Sequence, residues 1–307
     1  MTNETANETT NETTAGTTAG TANETADAGA RSSALTLLVT GATGRVGSRV
    51  AAAARAAGLT VRAASRSAEV RFDWSDPSTW ADALRGADAA FLVCQPDVGA
   101  PGAAEAVGAL GRRAAELGVR HLTLLSARGE PQAVATERAL AESGVARWTV
   151  VRASWFAQNF SEGPLVDGLR EGRFVFPAGE VLEPFIDVRD IADVVVAVLT
   201  AGERYAGQVL EVSGGRLLSF RDAVAEIAAV SGRELEYVPV SAREYGGALR
   251  EFAVSEAEVE FLVEFFEENL DGRNAYVSDG VREVLGREPR EFSDFVREAA
   301  ETGVWKG

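Results

Sequence analysis

The 307-residue chain is 46% hydrophobic and 25% charged, the balance of an ordinary globular protein. Its formal net charge of −16 argues against a nucleic-acid partner, because phosphate binding needs a basic face. No apolar run approaches the ~20 residues of a membrane-spanning helix, and a single cysteine, Cys94, excludes an intrachain disulfide and a thiolate metal cluster.

Residues 1–30 repeat Asn-Glu-Thr among Thr, Ala and Gly, with no aromatic or large aliphatic side chain after Met1. Such a composition cannot bury enough apolar surface to offset chain entropy, so a disordered tail is expected. It lacks the basic and apolar regions of a secretory signal, and the expected location is cytoplasmic. The Asn-x-Thr triplets then read as low-complexity drift rather than glycosylation sites.

Residues 35–39 form an apolar strand pattern that runs into Gly41, Gly44 and Gly47, and a helix pattern over 45–57 follows, closed by Gly58. Strand, glycine turn and helix in that order make a dinucleotide fingerprint. Gly41 permits the turn, Gly44 the approach of a pyrophosphate, and Gly47 close packing. The N–H groups around Thr43, Arg45 and Val46 then face the phosphates at the positive end of the helix.

A second strand is expected over 59–64, ending at Ser65-Arg66-Ser67. NAD-binding folds usually carry an acid there for the ribose 2′-hydroxyl. Here that place offers Arg66 and no carboxylate, which favours a 2′-phosphate and therefore NADP(H) over NAD(H). Asp73, after a short strand-like run, is a candidate for the adenine edge. Asp76 as N-cap and Pro77 at the first helical position open a helix that reaches Leu84 and stops at Gly86.

Strands over 87–94, 120–126 and 147–152 then alternate with helices over 103–117 and 130–143, which end at Gly118 and Gly144. This rhythm predicts an α/β, Rossmann-type doubly wound parallel sheet, with ligands at the carboxyl ends of its strands. Cys94 lies in the apolar run 89–94 and reads as a buried strand thiol. Gln95 and Ser126 follow two of those strand ends and join the cofactor-binding candidates. His121, the sole histidine, starts a strand at the opposite edge, where a partly exposed structural role is expected.

Past residue 153 the rhythm loosens. Segments 173–177 and 183–187, joined through Ala178-Gly179-Glu180, suggest a hairpin. A helix over 188–199 and a strand over 208–212 follow. Ser219 with Asp222, and Ser255 with Glu258, have the spacing of capping boxes. The helix after Ser255 carries an apolar stripe (Val259, Leu262, Val263, Phe266, Leu270) opposite an acidic face. It reads as a surface helix on a small lobe, with a lid or a dimer contact as the alternatives. The expected organisation is a cofactor core over 31–155 and a segment over 156–307 that returns to the sheet and builds a small C-terminal α/β substrate lobe.

The segment Val151-Arg152-Ala153-Ser154-Trp155-Phe156-Ala157-Gln158-Asn159-Phe160, taken with 39–47, Arg66, Asp73 and 86–88, resembles the NmrA-like family of atypical short-chain dehydrogenase/reductases. Residues 185–192 (Phe-Ile-Asp-Val-Arg-Asp-Ile-Ala) resemble that family's second signature. The likeness spans residues 34–300, and its Trp-Phe-x-x-Asn-Phe form is similar to that of fungal ergot-alkaloid reductases. The resemblance implies an NADPH-dependent reductase of quinones, imines or iminium ions, or enones. It equally admits a regulator of the NmrA type that binds the dinucleotide and catalyses nothing.

Catalytic candidates are few. Short-chain reductases protonate their substrates from Tyr in Tyr-x-x-x-Lys, yet none of Tyr205, Tyr237, Tyr245 and Tyr276 has that lysine, and the sole lysine is Lys306. The helix in which some relatives carry a lysine offers Glu137 and Arg138 instead. Ser126 is a candidate for binding a substrate carbonyl or the nicotinamide, or it merely caps a strand end. Glu137 is an acid if buried, but an exposed helix carboxylate is the expectation. Trp155, Phe156 and Asn159 are candidates for an aromatic substrate pocket. No metal site is expected, and the partners expected are a small-molecule substrate and, if any, a second copy of the chain.

Overall fold

The computed structural model describes residues 35–252 and 254–306. The expected tail over 1–30 lies outside them.

The strands are β1 (Thr36–Val39), β2 (Thr60–Ser65), β3 (Val70–Arg71), β4 (Ala89–Leu92), β5 (His121–Ala127), β6 (Arg147–Ala153), β7 (Arg173–Phe176), β8 (Leu182–Glu183), β9 (Gln208–Val212), β10 (Leu218–Ser219) and β11 (Glu236–Pro239). The helices are α1 (Arg45–Ala56), α2 (Trp80–Leu84), α3 (Ala103–Glu116), α4 (Ala133–Ala141), α5 (Leu165–Glu171), α6 (Val188–Thr200), α7 (Phe220–Ser231), α8 (Ala242–Glu251), α9 (Glu256–Asn269), α10 (Gly280–Leu285) and α11 (Phe292–Glu301).

Seven strands form one sheet in the order β3-β2-β1-β4-β5-β6-β9, every neighbouring pair parallel. The order reverses between β1 and β4, which places the crevice where such sheets take ligands beside the glycine turn. Strand sequences here are apolar without alternation because both faces are covered. Leu37 and Val39 pack with Val50 of α1 and Ile191 and Val195 of α6. Leu38, between them in the chain, points to the other face and packs with Trp80 of α2, Leu110 of α3 and Leu140 of α4.

A third apolar cluster builds the C-terminal lobe, in which Phe160, Phe174, Phe176 and Phe220 meet Phe292 and Trp305. The expected hairpin between 173–177 and 183–187 does not form. β7 pairs in parallel with the distant β11, while β8 pairs antiparallel with β10. Gly179 turns the chain away, its carbonyl accepting from the Tyr237 hydroxyl at 3.0 Å. Pairing with β11 also brings Tyr237 against Phe174, their rings 6.2 Å apart.

His121 is also corrected. It is 2% exposed, not partly exposed, because β5 lies between β4 and β6 in the middle of the sheet. Its Nε2 sits 2.9 Å from Thr149 Oγ1, and burial pushes its pKa down to about 4. Ser219 and Asp222 form a complete capping box, and Ser255 forms the serine half with Glu258. A further complete box, Ser241 with Glu244, starts α8. Cys94 lies just past β4, half-buried against the second apolar cluster, and burial pushes its thiol up to about 12.

Candidate active site

The glycine turn is shaped by three different needs. Gly41 takes φ +61°, a left-handed conformation that favours glycine. A Cβ on Gly47 would stand 2.3 Å from the Gly41 carbonyl oxygen, so α1 lies against the turn itself rather than only against the strand. Gly44 caps α1 without a side chain, and its own N–H closes the turn onto Gly41 at 2.9 Å. The first helical bond runs from Ser48 back to Gly44, which leaves the N–H groups of Arg45, Val46 and Gly47 without intrahelical acceptors. These donors, with the dipole behind them, form a cradle that fits a pyrophosphate.

The cleft beside this turn is lined by Gly41, Thr43, Ser65, Arg66, Asp73 and Gln95, together with Phe72, Trp74 and Val93. Residues chosen from separate stretches of sequence therefore share one concavity. Arg66 is exposed, and its charge is near enough to help hold the Asp73 carboxyl below its ordinary range, after hydrogen bonds from Ser75. Trp74, absent from the sequence-based candidates, walls the same cleft, its indole N–H donating to the Val93 carbonyl at 2.7 Å. The sequence signal was the pair of aromatics flanking Asp73.

A larger cavity of about 640 Å³ opens next to it, under the carboxyl ends of β5 and β6. Trp155, Phe156, Phe176, Phe265 and Phe266 supply its apolar wall, and Trp155 lies 5.8 Å from Phe176 and 6.5 Å from Phe266 between ring centres. Asn159 lines it too, its side chain held by the Arg45 guanidinium. Arg45 thus reaches the cavity with its side chain while its backbone starts α1. The apolar face of α9 supplies Leu262, Phe265 and Phe266 to this wall, while Val259 and Leu270 of the stripe seen in the sequence are buried outside its lining. Gln95 lines the cleft and the next residue, Pro96, lines the cavity.

Ser126 and Glu137 form a fixed polar unit. Ser126 lines the cavity and donates through Oγ to Glu137 Oε1 at 2.6 Å. Glu137 is 6% exposed, contrary to the expected exposed carboxylate. Arg152 explains the difference: its Nε and Nη2 clamp both carboxylate oxygens at 2.8 and 2.5 Å, which compensates the charge in a buried place. Glu137 is therefore a carboxylate that orients Ser126, and it is not in the cavity lining. Among the described residues, no group of His, Cys, Asp and Glu has the arrangement of a metal site.

No family model matches the chain. It is 32% identical over 281 residues to the uncharacterized oxidoreductase YesF of Bacillus subtilis, covering 88% of this chain and 96% of that one. It is 30% identical over 283 residues to the NAD(P)H azoreductase of Xenophilus azovorans, covering 85% and 96%. Among solved structures, the NADPH-dependent quinone oxidoreductase of Escherichia coli superposes with a TM-score of 0.68 at 20% identity, covering 86% of this chain and 99% of that one. The chain belongs to the NmrA-like family of atypical short-chain dehydrogenase/reductases.

Much of what made the NmrA-like signatures recognisable here is structural. The first signature is tied to the second through Ala157 N–H to the Ile186 carbonyl and Ile186 N–H to the Trp155 carbonyl, each 2.8 Å. Gln158 donates to Asp187 Oδ1 at 2.9 Å and accepts from the Val188 N–H at 2.9 Å. Asp187 caps α6 through the Arg189 N–H. These bonds fix where Trp155, Phe156 and Asn159 stand, so the two signatures act as one brace behind the cavity.

Proposed function

We propose that this NmrA-like protein is an NADPH-dependent oxidoreductase that reduces a flat cyclic or aromatic acceptor such as a quinone, an imine or iminium ion, or an enone. One observation carries the reading: the glycine cleft and the aromatic cavity meet at consecutive residues, Gln95 and Pro96. A dinucleotide lying along the first presents its far end to the second. The relative named as an NAD(P)H azoreductase supports the same chemistry, at 30% identity over nearly its whole length.

A bound nicotinamide supplies hydride, and the chain's own residues bind, orient and exclude water. The N–H groups of Arg45, Val46 and Gly47 hold the pyrophosphate, Arg66 pairs with the 2′-phosphate, and Asp73 and Trp74 meet the adenine side. Gln95 and Ser126 border the reacting end. The Ser126 proton is committed to Glu137, so its hydroxyl offers lone pairs to a donor such as a carboxamide NH₂. Trp155, Phe176 and Phe265 hold a flat acceptor by apolar contact and keep water away. In this division of labour residues 31–155 hold the cofactor and contribute one side of the acceptor site, and residues 156–307 supply the rest of its wall. The strongly acidic chain fits a cytoplasmic enzyme, acting as a monomer or a homodimer, and among the described residues no helix is long and apolar enough to cross a membrane.

The test is a binding titration followed by an acceptor screen. NADPH should bind more tightly than NADH, and Arg66→Ala should cost NADPH about 10- to 100-fold in affinity while leaving NADH unchanged. NADPH oxidation by quinones, cyclic imines or enones completes the result. Tight binding with no oxidation by any acceptor returns the protein to the role of a dinucleotide sensor.

A further inference from the structure

The proposed reduction places a proton on the acceptor as well as a hydride, and neither Ser126 nor Glu137 is free to give one. Another carboxyl stands in the cavity wall. Glu130 lies between β5 and α4, is 5% exposed, and its Oε2 has no hydrogen-bond partner. Its other oxygen presses on Gly99, where a Cβ would fall 1.9 Å from Oε1. Asp97, also in the wall, is near enough for its charge to act on Glu130, and its Oδ1 accepts from the Gly99 N–H at 2.8 Å.

We infer that Glu130 is the proton donor of this site, its carboxyl held in the protonated form in the cavity wall beside Asp97. Burial in the wall beside a second carboxyl disfavours the charged form of Glu130. Burial, followed by the Asp97 neighbour, pushes Glu130 up to about 9. The other titratable groups around it act in the same direction or not at all. Glu268 on α9 adds negative charge, and Cys94 is held in its neutral form. Arg128, two residues away, turns its guanidinium to the Asn274 and Tyr276 carbonyls.

The step balances simply. With hydride supplied by a bound nicotinamide, the Glu130 O–H would break as a new O–H, N–H or C–H bond forms on the acceptor. Glu130 is left as a carboxylate and regains its proton from water. This inference rests on the oxidoreductase reading and narrows it: acceptors that must gain a proton depend on Glu130, and preformed iminium ions do not.

The experiment compares wild type with Glu130→Gln, which keeps the shape, and Asp97→Asn. For a quinone or neutral enone, Glu130→Gln should lower kcat by about 100-fold or more, with NADPH affinity unchanged as the control for folding. For a preformed iminium ion the same variant should keep kcat within about threefold. Wild-type kcat for a quinone should fall as pH rises past about 9, and Asp97→Asn should move that limb to lower pH. A protonated-carboxyl infrared band at pH 7, absent in Glu130→Gln, reads the held proton without turnover. A variant with wild-type quinone kcat and an unaltered pH limb overturns the inference. If wild type binds NADPH but reduces nothing, the oxidoreductase reading fails instead, and the donor role fails with it even where the infrared band is present.

Discussion

The cofactor cleft and the acceptor cavity are built from different materials. The cleft is mostly backbone: a left-handed Gly41, a Gly47 with no room for a Cβ, and a helix start whose N–H groups lack partners. The cavity is side chains brought in from β5, β6, β7, α8 and α9, with a loop carboxyl at one side. Backbone geometry tolerates no substitution at its glycines but accepts one ligand type. A wall of separate side chains changes piece by piece, which suits a site where the acceptor varies.

That contrast can be broken or sharpened by substitution. The largest effect is expected at the turn. Gly47→Ala forces α1 off the Gly41 carbonyl, and NADPH affinity should fall by about 100-fold, ~3 kcal/mol of displaced packing, in a fluorescence titration. Unchanged affinity would mean that the cleft is less rigid than its contacts imply.

Comparable in size, but in stability rather than binding, is Glu183 beneath the C-terminal lobe. It is fully buried with neither carboxylate oxygen hydrogen-bonded, and burial pushes its pKa up to about 7, against an opposing pull from Arg128. The folded state therefore holds this proton more tightly than the unfolded chain, and stability falls as pH rises from about 4.5 to 7. Glu183→Gln should be near neutral at pH 5 and stabilising by up to about 3 kcal/mol at pH 8 in denaturant melts. The same gain at both pH values would contradict this account.

Smaller effects follow in the cavity wall and the lobe. Phe265→Ala should raise the acceptor KM by about tenfold and leave NADPH binding alone. If both change together, cleft and cavity are not the separate structures described above. Ser241→Ala should cost about 1 kcal/mol of stability through loss of the α8 cap, with both binding sites intact.

The cleft was legible in the sequence because its parts are local or sit at fixed offsets. Strand, glycines and helix are contiguous, Arg66 follows directly on the next strand, and the alternating pattern predicted the parallel sheet whose order brings Gln95 beside them. The cavity was half legible. Trp155, Phe156 and Asn159 stood out through a resemblance, whereas Phe176, Phe265 and Glu130 did not, since nothing local says which aromatic or acid faces a hollow. The hairpin failed for a related reason: alternation marks a strand but not its partner, and β7 found β11 some sixty residues on. Glu137 was misread as exposed because Arg152, its clamp, lies on a different element.

The most direct measurement is the initial rate of NADPH oxidation with a quinone acceptor, run with hydrogen and with deuterium at the transferred position of the nicotinamide. Turnover with a primary isotope effect, lowered at subsaturating NADPH by Arg66→Ala and at saturating NADPH by Glu130→Gln, is the predicted result. Tight NADPH binding with no oxidation of cofactor by quinones, imines or enones would contradict it.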